Sequence, residues 1–105
     1  ISFLDIKENV YSSVHLAVIV LDDLLINFHK NIFNYLRDSG IGVQVHYIPI
    51  HCQPYYLNMG FKKGDFPNAE KYASSSFSIP LFPSLKRSQQ EYVCNKIKEV
   101  VNIYL

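Results

Sequence analysis

Tryptophan is absent, cysteine occurs only twice, and 18% of the 105 residues are Asp, Glu, Lys or Arg, for a net charge of +1. Each shortage excludes something. Without a basic excess there is no electrostatic footprint for nucleic acid or an anionic membrane surface. Lys and Arg are scattered, with Lys62-Lys63 and Lys86-Arg87 the only adjacent pairs. No apolar run approaches the ~20 residues of a membrane span; Leu16 to Leu21 is the longest obvious one. No signal peptide is visible, so Cys52 and Cys94 are expected as free thiols in a reducing cytoplasm. Neither a G-x-x-x-x-G-K-[ST] phosphate loop, nor G-x-G-x-x-G, nor H-E-x-x-H occurs. What is plentiful is apolar and aromatic: 49% of the chain is hydrophobic, with seven Phe and eight Tyr. That is a globular composition, long enough for one domain and too short for two.

Residues 1–13 lack periodicity and read as an entering connector. Val14 to Leu21 is a β-branched apolar run of strand length, suited to burial on both faces. Asp22 and Asp23 are placed to cap a following helix. That helix carries Leu24, Leu25, Phe28, Ile32, Tyr35 and Leu36 at helical spacing. Gly40 predicts a left-handed stop, with Ile41 folding back onto Leu36. Val43, Val45 and Tyr47 alternate with Gln44, His46 and Ile48, which predicts a second strand with His46 on the face opposite Val45 and Tyr47. A loop runs from Pro49 to about Phe66, with a helical turn near Tyr55 to Met59. Pro67 opens a short helix to about Ser74. Phe77 to Ile79 is a strand closed by Pro80. Ser88 and Glu91 form a capping box for a last helix reaching about Tyr104. Its core stripe is Tyr92, Val93, Ile97, Val100, Val101 and Tyr104. The order β-α-β-α-β-α predicts a two-layer α+β domain of about three short strands with helices on one face. The first two strands are free to pair in parallel across the helix between them.

The stretch from Val45 to Tyr56 concentrates the chemistry: His46, Tyr47, His51, Cys52, Tyr55 and Tyr56 are interleaved with Pro49 and Pro54. Prolines fix φ and remove donors, so the segment is stiff. Stiff loops bearing imidazole and phenol on a packed scaffold commonly bind ligands, although such a loop can also simply cover a core edge with its rings. A metal centre from His46, His51, Cys52 and His15 is not expected. The two loop histidines are five apart with Pro49 between them, and no second cysteine pair exists. Adjacency of His51 and Cys52 does not by itself align a thiol with a base. Cys94 reads as a small core residue beside the last helix's stripe. His29 is expected half-exposed without a role. Asp65 and Glu70 read as first-turn helix charges.

Taken together and in order, several stretches resemble one family. They are Ser12-Ser13-Val14-His15-Leu16, Gly40 through His51, Gln53-Pro54-Tyr55-Tyr56, Asp65 through Ala73, and Ser78-Ile79-Pro80-Leu81-Phe82-Pro83. The resemblance is to the C-terminal segment of the pyridoxal-phosphate-dependent sugar aminotransferases of the DegT/DnrJ/StrS type. Within that family, the run Gly60 to Glu70 is most similar to the UDP-4-amino-4,6-dideoxy-N-acetyl-β-L-altrosamine transaminases of the pseudaminic acid route. Ile1 in place of an initiator Met agrees with a piece of a longer protein.

The resemblance implies that residues 1–105 are the small C-terminal domain of a cytoplasmic fold type I aminotransferase. The parent would be a homodimer that passes an amino group from glutamate to a UDP-linked 4-keto-6-deoxy sugar. Its pyridoxal 5'-phosphate would sit on a Lys of an N-terminal domain. None of the eight lysines here matches that setting, so the piece alone is expected to bind no cofactor and to be inactive. The residues implied for the sugar-nucleotide pocket are His46, Tyr47, His51 and Tyr55, with His15 at the same edge. Three positions depart from the family pattern: Ala17 after His-Leu, Cys52 after His51, and Lys86-Arg87 at the start of the last helix. They bear on sugar preference and interface packing. The alternative is a free-standing, non-catalytic module that uses the same loop to hold a sugar or a peptide.

Overall fold

Three short strands make the sheet: β1 (Ser2–Phe3), β2 (Ala17–Val20) and β3 (Ser76–Ile79), in the order β1-β2-β3. They belong to a computed structural model that describes residues 1–105. Both pairings are antiparallel, with Ser2 opposite Val20 on one side and Ile19 opposite Phe77 on the other. β2 is the central strand, and its consecutive Val18 and Ile19 are both buried. Neighbouring side chains point to opposite faces of a strand, so both faces of β2 are covered, as its unbroken β-branched run requires.

Four helices complete the α+β architecture that the element pattern predicts: α1 (His29–Asp38), α2 (Pro54–Asn58), α3 (Pro67–Ser75) and α4 (Arg87–Tyr104). The core joins β2 and β3 to α1 and α4 through Ile19, Phe77, Ile32, Leu36, Val93 and Val100, among others. Phe77 is fully buried and meets Phe33 and His29 edge-on, at 6.0 and 5.5 Å between ring centroids. His29 is half-buried, as expected; its Nε2–H donates to the Ser76 carbonyl at 3.1 Å, which ties α1 to β3. α1 stops as the sequence predicts. Gly40 adopts φ 76°, its N–H donates to the Arg37 carbonyl at 2.9 Å, and the Ile41 N–H donates to that of Leu36 at 3.0 Å. This is the paired bond pattern of a Schellman stop, and it drives Ile41 into the core.

Four expectations need correction. The predicted second strand, Val43 to Tyr47, reduces to one bridge, Gln44 to Ser78; Val43 is buried, but Val45 and Tyr47 are exposed and the chain leaves the sheet. The third strand comes instead from the entering connector, whose Ser2 and Phe3 pair with β2, so no parallel pair forms. Asp22 and Asp23 do not cap a helix. The Asp22 carbonyl closes a turn with the Leu25 N–H, and Asp23 pairs with Lys71 at 2.7 Å. A 3₁₀ turn at Ile26–Phe28 follows before α1, which leaves Leu24 exposed while Leu25 enters the core. α4 begins ahead of Ser88. The Gln89 side chain accepts the Lys86 N–H at 2.9 Å, while Glu91 pairs with Arg87 at 3.0 Å.

α4 carries its predicted stripe: Val93 and Val100 are buried, and Ile97, Val101 and Tyr104 pack against the core. Tyr92 stays half outside, with its hydroxyl donating to the Ser39 carbonyl at 3.0 Å. Cys94 is exposed on α4 and is not a core residue, because its helical position falls at the outer flank of the buried stripe. Both thiols are free. No helix is long and apolar enough to cross a membrane.

Candidate functional site

After the Gln44 bridge the chain makes a second, smaller body outside the main core. Pro49 starts it: its carbonyl accepts the Cys52 N–H at 2.8 Å, closing a 3₁₀ turn at Ile50–Cys52. Pro54 occupies the first turn of α2, where its missing N–H costs nothing. α2 ends in the same pattern as α1. Gly60 takes φ 100°, its N–H donates to the Leu57 carbonyl, and the Phe61 N–H donates to that of Tyr56. The reversal brings Phe61 beside Tyr56 and Phe66, each 6.2 Å away between ring centroids. Pro67 then opens α3, which runs back toward β3.

These turns border an open cavity of about 470 Å³. His46, Tyr47 and His51 form part of its wall, Tyr56, Phe61 and Phe66 another, and Ala69, Tyr72 and Ala73 of α3 a third. Two polar ties hold the wall. His46 Nε2 lies 2.7 Å from Ser78 Oγ on β3, and the backbones of Gln44 and Ser78 exchange hydrogen bonds at 2.8 and 3.2 Å. The second nitrogen of His46, Nδ1, is buried without a partner. His51 is only 6% exposed; its Nε2 lies 2.8 Å from Glu70 Oε1, and the Gly64 N–H donates to the same oxygen at 2.6 Å. The His51 hydrogen bond, followed by that of Gly64, holds the Glu70 carboxyl below the usual carboxylate range. Glu70 thus closes the loop from two sides.

The structure brings together three of the five expected site residues: His46, Tyr47 and His51. Tyr55 points away, 70% exposed; its neighbour Tyr56 lines the cavity in its place, because only one face of the short helix α2 turns inward. His15 is exposed, ahead of β2, and lies outside the cavity. The sequence marks Glu70 only as a helix-start charge. Its partner lies 19 residues earlier, a separation with no local pattern to betray it. Phe61, Phe66 and Tyr72 lie in stretches that resemble the family, but nothing local marks them as cavity residues.

Chemically, the wall offers apolar area for the flat face of a ring, with imidazole and phenol groups to reach hydroxyl or phosphate oxygens. It does not offer the parts of a pyridoxal-phosphate site. No lysine lines this cavity. The residues lining this cavity therefore lack the amine that would hold that cofactor.

Comparison with known proteins agrees with the geometry. The chain is 46% identical over 66 residues to the pleiotropic regulatory protein of Geobacillus stearothermophilus, covering 62% of this chain and 18% of that protein. In three dimensions it superposes on Spr1654 of Streptococcus pneumoniae in its PMP form with a TM-score of 0.86 and 27% identity, over 94% of this chain and 25% of that one. It also superposes on Helicobacter pylori PseC, an aminotransferase involved in pseudaminic acid biosynthesis, with a TM-score of 0.77 and 26% identity, over 84% and 24%. The chain thus spans a quarter or less of the length of these proteins. Residues 2–98 match the DegT/DnrJ/EryC1/StrS aminotransferase model. A match over nearly the whole chain, together with the solved neighbours, shows that this protein belongs to the DegT/DnrJ/EryC1/StrS aminotransferase family.

Proposed function

We propose that residues 1–105 form the small C-terminal domain of a cytoplasmic, homodimeric transaminase that moves an amino group from glutamate to a keto sugar nucleotide. The supporting observation is the aromatic cavity walled by His46, Tyr47 and His51, set outside the main core in a chain of this family. Among keto sugars, a UDP-linked 4-keto-6-deoxy sugar is the favoured substrate. The Gly60 to Glu70 run and the likeness to PseC both support that choice. Pyridoxal phosphate, held by the N-terminal domain, supplies the electron sink for amine transfer.

The present residues bind and orient. Tyr47, 67% exposed, presents its ring to a sugar face. His46, fixed by Ser78, holds its stretch of the wall against β3. The apolar walls of α3 exclude water from the junction. A ligand pocket at a domain junction is a common arrangement.

The test uses the full-length protein. Absorbance shows whether pyridoxal phosphate is bound, and turnover is followed with glutamate and the UDP-linked keto sugar. Cofactor binding and amino-sugar formation are expected, with Tyr47→Ala weakening KM for the sugar while leaving cofactor absorbance intact. A full-length protein that binds no pyridoxal phosphate but still holds a sugar or peptide would replace this reading with that of a binding module.

A further inference from the structure

His51, Cys52 and Glu70 each offer a donor atom, and these atoms lie within 4.8 Å of one another. The three are not a surface accident: His51 is buried, and Cys52 and Glu70 are half-buried. They stand in the partition between two cavities. His51 borders the aromatic cavity already described, while Cys52 and Glu70 border a second one of about 330 Å³ on the other side of Tyr47 and Pro49.

We propose that this trio is a binding site for a thiophilic divalent cation, with Zn²⁺ the best match. Imidazole, thiolate and carboxylate are the three ligand types zinc takes, at about 2.0–2.3 Å, and an open fourth position suits a water. The 3₁₀ turn at Ile50–Cys52 carries the imidazole and the thiol, and α3 brings the carboxylate to within 4.8 Å of both. Glu70 uses Oε1 for both His51 and Gly64, which leaves Oε2 as a free donor. The cation takes over the place of the His51–Glu70 hydrogen bond. The Cys52 thiol gives up its proton to solvent as the Zn–S bond forms, and no electron changes hands. The second cavity is the way in for the ion and its water. Lys63 borders that cavity and opposes a cation, but it is exposed and free to turn outward. A loaded site locks His51 onto the metal and so ties the loop more tightly than the hydrogen bond does. The assignment rests on the donor geometry and is independent of the proposed transamination.

The full-length protein provides an internal control, because Cys94 is free and exposed on α4. Iodoacetamide labelling is followed at both cysteines by peptide mass spectrometry, with zinc, with zinc plus EDTA, and with Mg²⁺. Bound zinc per chain is measured after dialysis. Zn²⁺ is expected to slow labelling of Cys52 about ten-fold or more, reversibly with EDTA, while Cys94 is unaffected and Mg²⁺ protects neither. Cys52→Ser and Glu70→Gln, both near-isosteric and checked for folding by circular dichroism, are each expected to weaken zinc binding by at least the ten-fold that losing even an outer partner typically costs. Equal labelling of Cys52 with and without zinc, equal slowing of both cysteines, or unchanged zinc binding in a folded Cys52→Ser variant would each overturn the site.

Discussion

The main core and the His46–Tyr72 body are built from the same kinds of residue and treat them oppositely. In the core, Ile32, Leu36, Phe77 and Val100 are wholly buried between the sheet and two helices. In the second body, Tyr47, Ile48, Ile50, Leu57, Met59 and Phe66 remain substantially exposed. One contains little beyond apolar packing; the other is stitched by polar ties at Ser78 and Glu70. A body that keeps its shape by hydrogen bonds while leaving apolar area outside is arranged for a surface it does not itself contain. The cluster of exposed rings and aliphatics therefore carries information that hydrophobicity alone does not.

That contrast can be broken by mutation, and the largest effect should come from the core. Phe77→Ala should cost about 3–5 kcal/mol in urea unfolding, as a buried aromatic cavity does, whereas Ile50→Ala, 68% exposed, should stay within about 0.5 kcal/mol. An Ile50→Ala loss as large as that of Phe77→Ala would make the second body part of the core. Next come the two helix stops. Gly40→Ala and Gly60→Ala should each cost about 1–2 kcal/mol, because φ of 76° and 100° strains a side chain even where there is room for a Cβ. Gly42→Ala, at an ordinary φ and with equal room, should be nearly neutral. Tyr47→Ala should raise KM for the keto sugar about ten-fold, equivalent to about 1.4 kcal/mol, without moving the unfolding midpoint; a shifted midpoint at unchanged KM would assign Tyr47 to packing.

The smallest effect concerns the surface of α4. Lys96 Nζ lies 2.8 Å from Glu99 Oε2. The Lys96 hydrogen bond, with help from Tyr35, lowers the Glu99 pKa from 4.5. A depressed carboxylate stabilises the fold above its unfolded value and loses that contribution as pH falls through the folded one. Lys96 is raised from 10.5, chiefly by the Glu99 hydrogen bond, so its share is complete below that value and fades as pH rises beyond it. Glu99→Gln should therefore lower stability slightly near neutral pH and flatten the acid limb below about 4.5 by the same small amount.

How much of this could be read from the sequence followed the range of the interactions. The Gly40–Ile41 stop and Pro67 at the head of α3 are set by neighbours within a few residues, and both were legible. The stripe of α4 repeats over about three turns of helix, long enough to be unmistakable. β1, two residues long, has no period to detect. Val43, Val45 and Tyr47 alternate like a strand, but alternation does not say whether a partner exists, and only Gln44 finds one. In the site, composition and resemblance pointed to His46, Tyr47 and His51. The choice between Tyr55 and Tyr56 depended on the rotation of one short helix. Glu70 depended on a contact across 19 residues that no local pattern encodes.

Ser78 grips the loop at Gln44 and His46, and Glu70 grips it again at His51 and Gly64. A span clamped at both ends has no hinge of its own. The wall of the aromatic cavity should therefore travel as one piece with the sheet. Amide exchange around Tyr47 should then track β3 rather than the rates of a free coil.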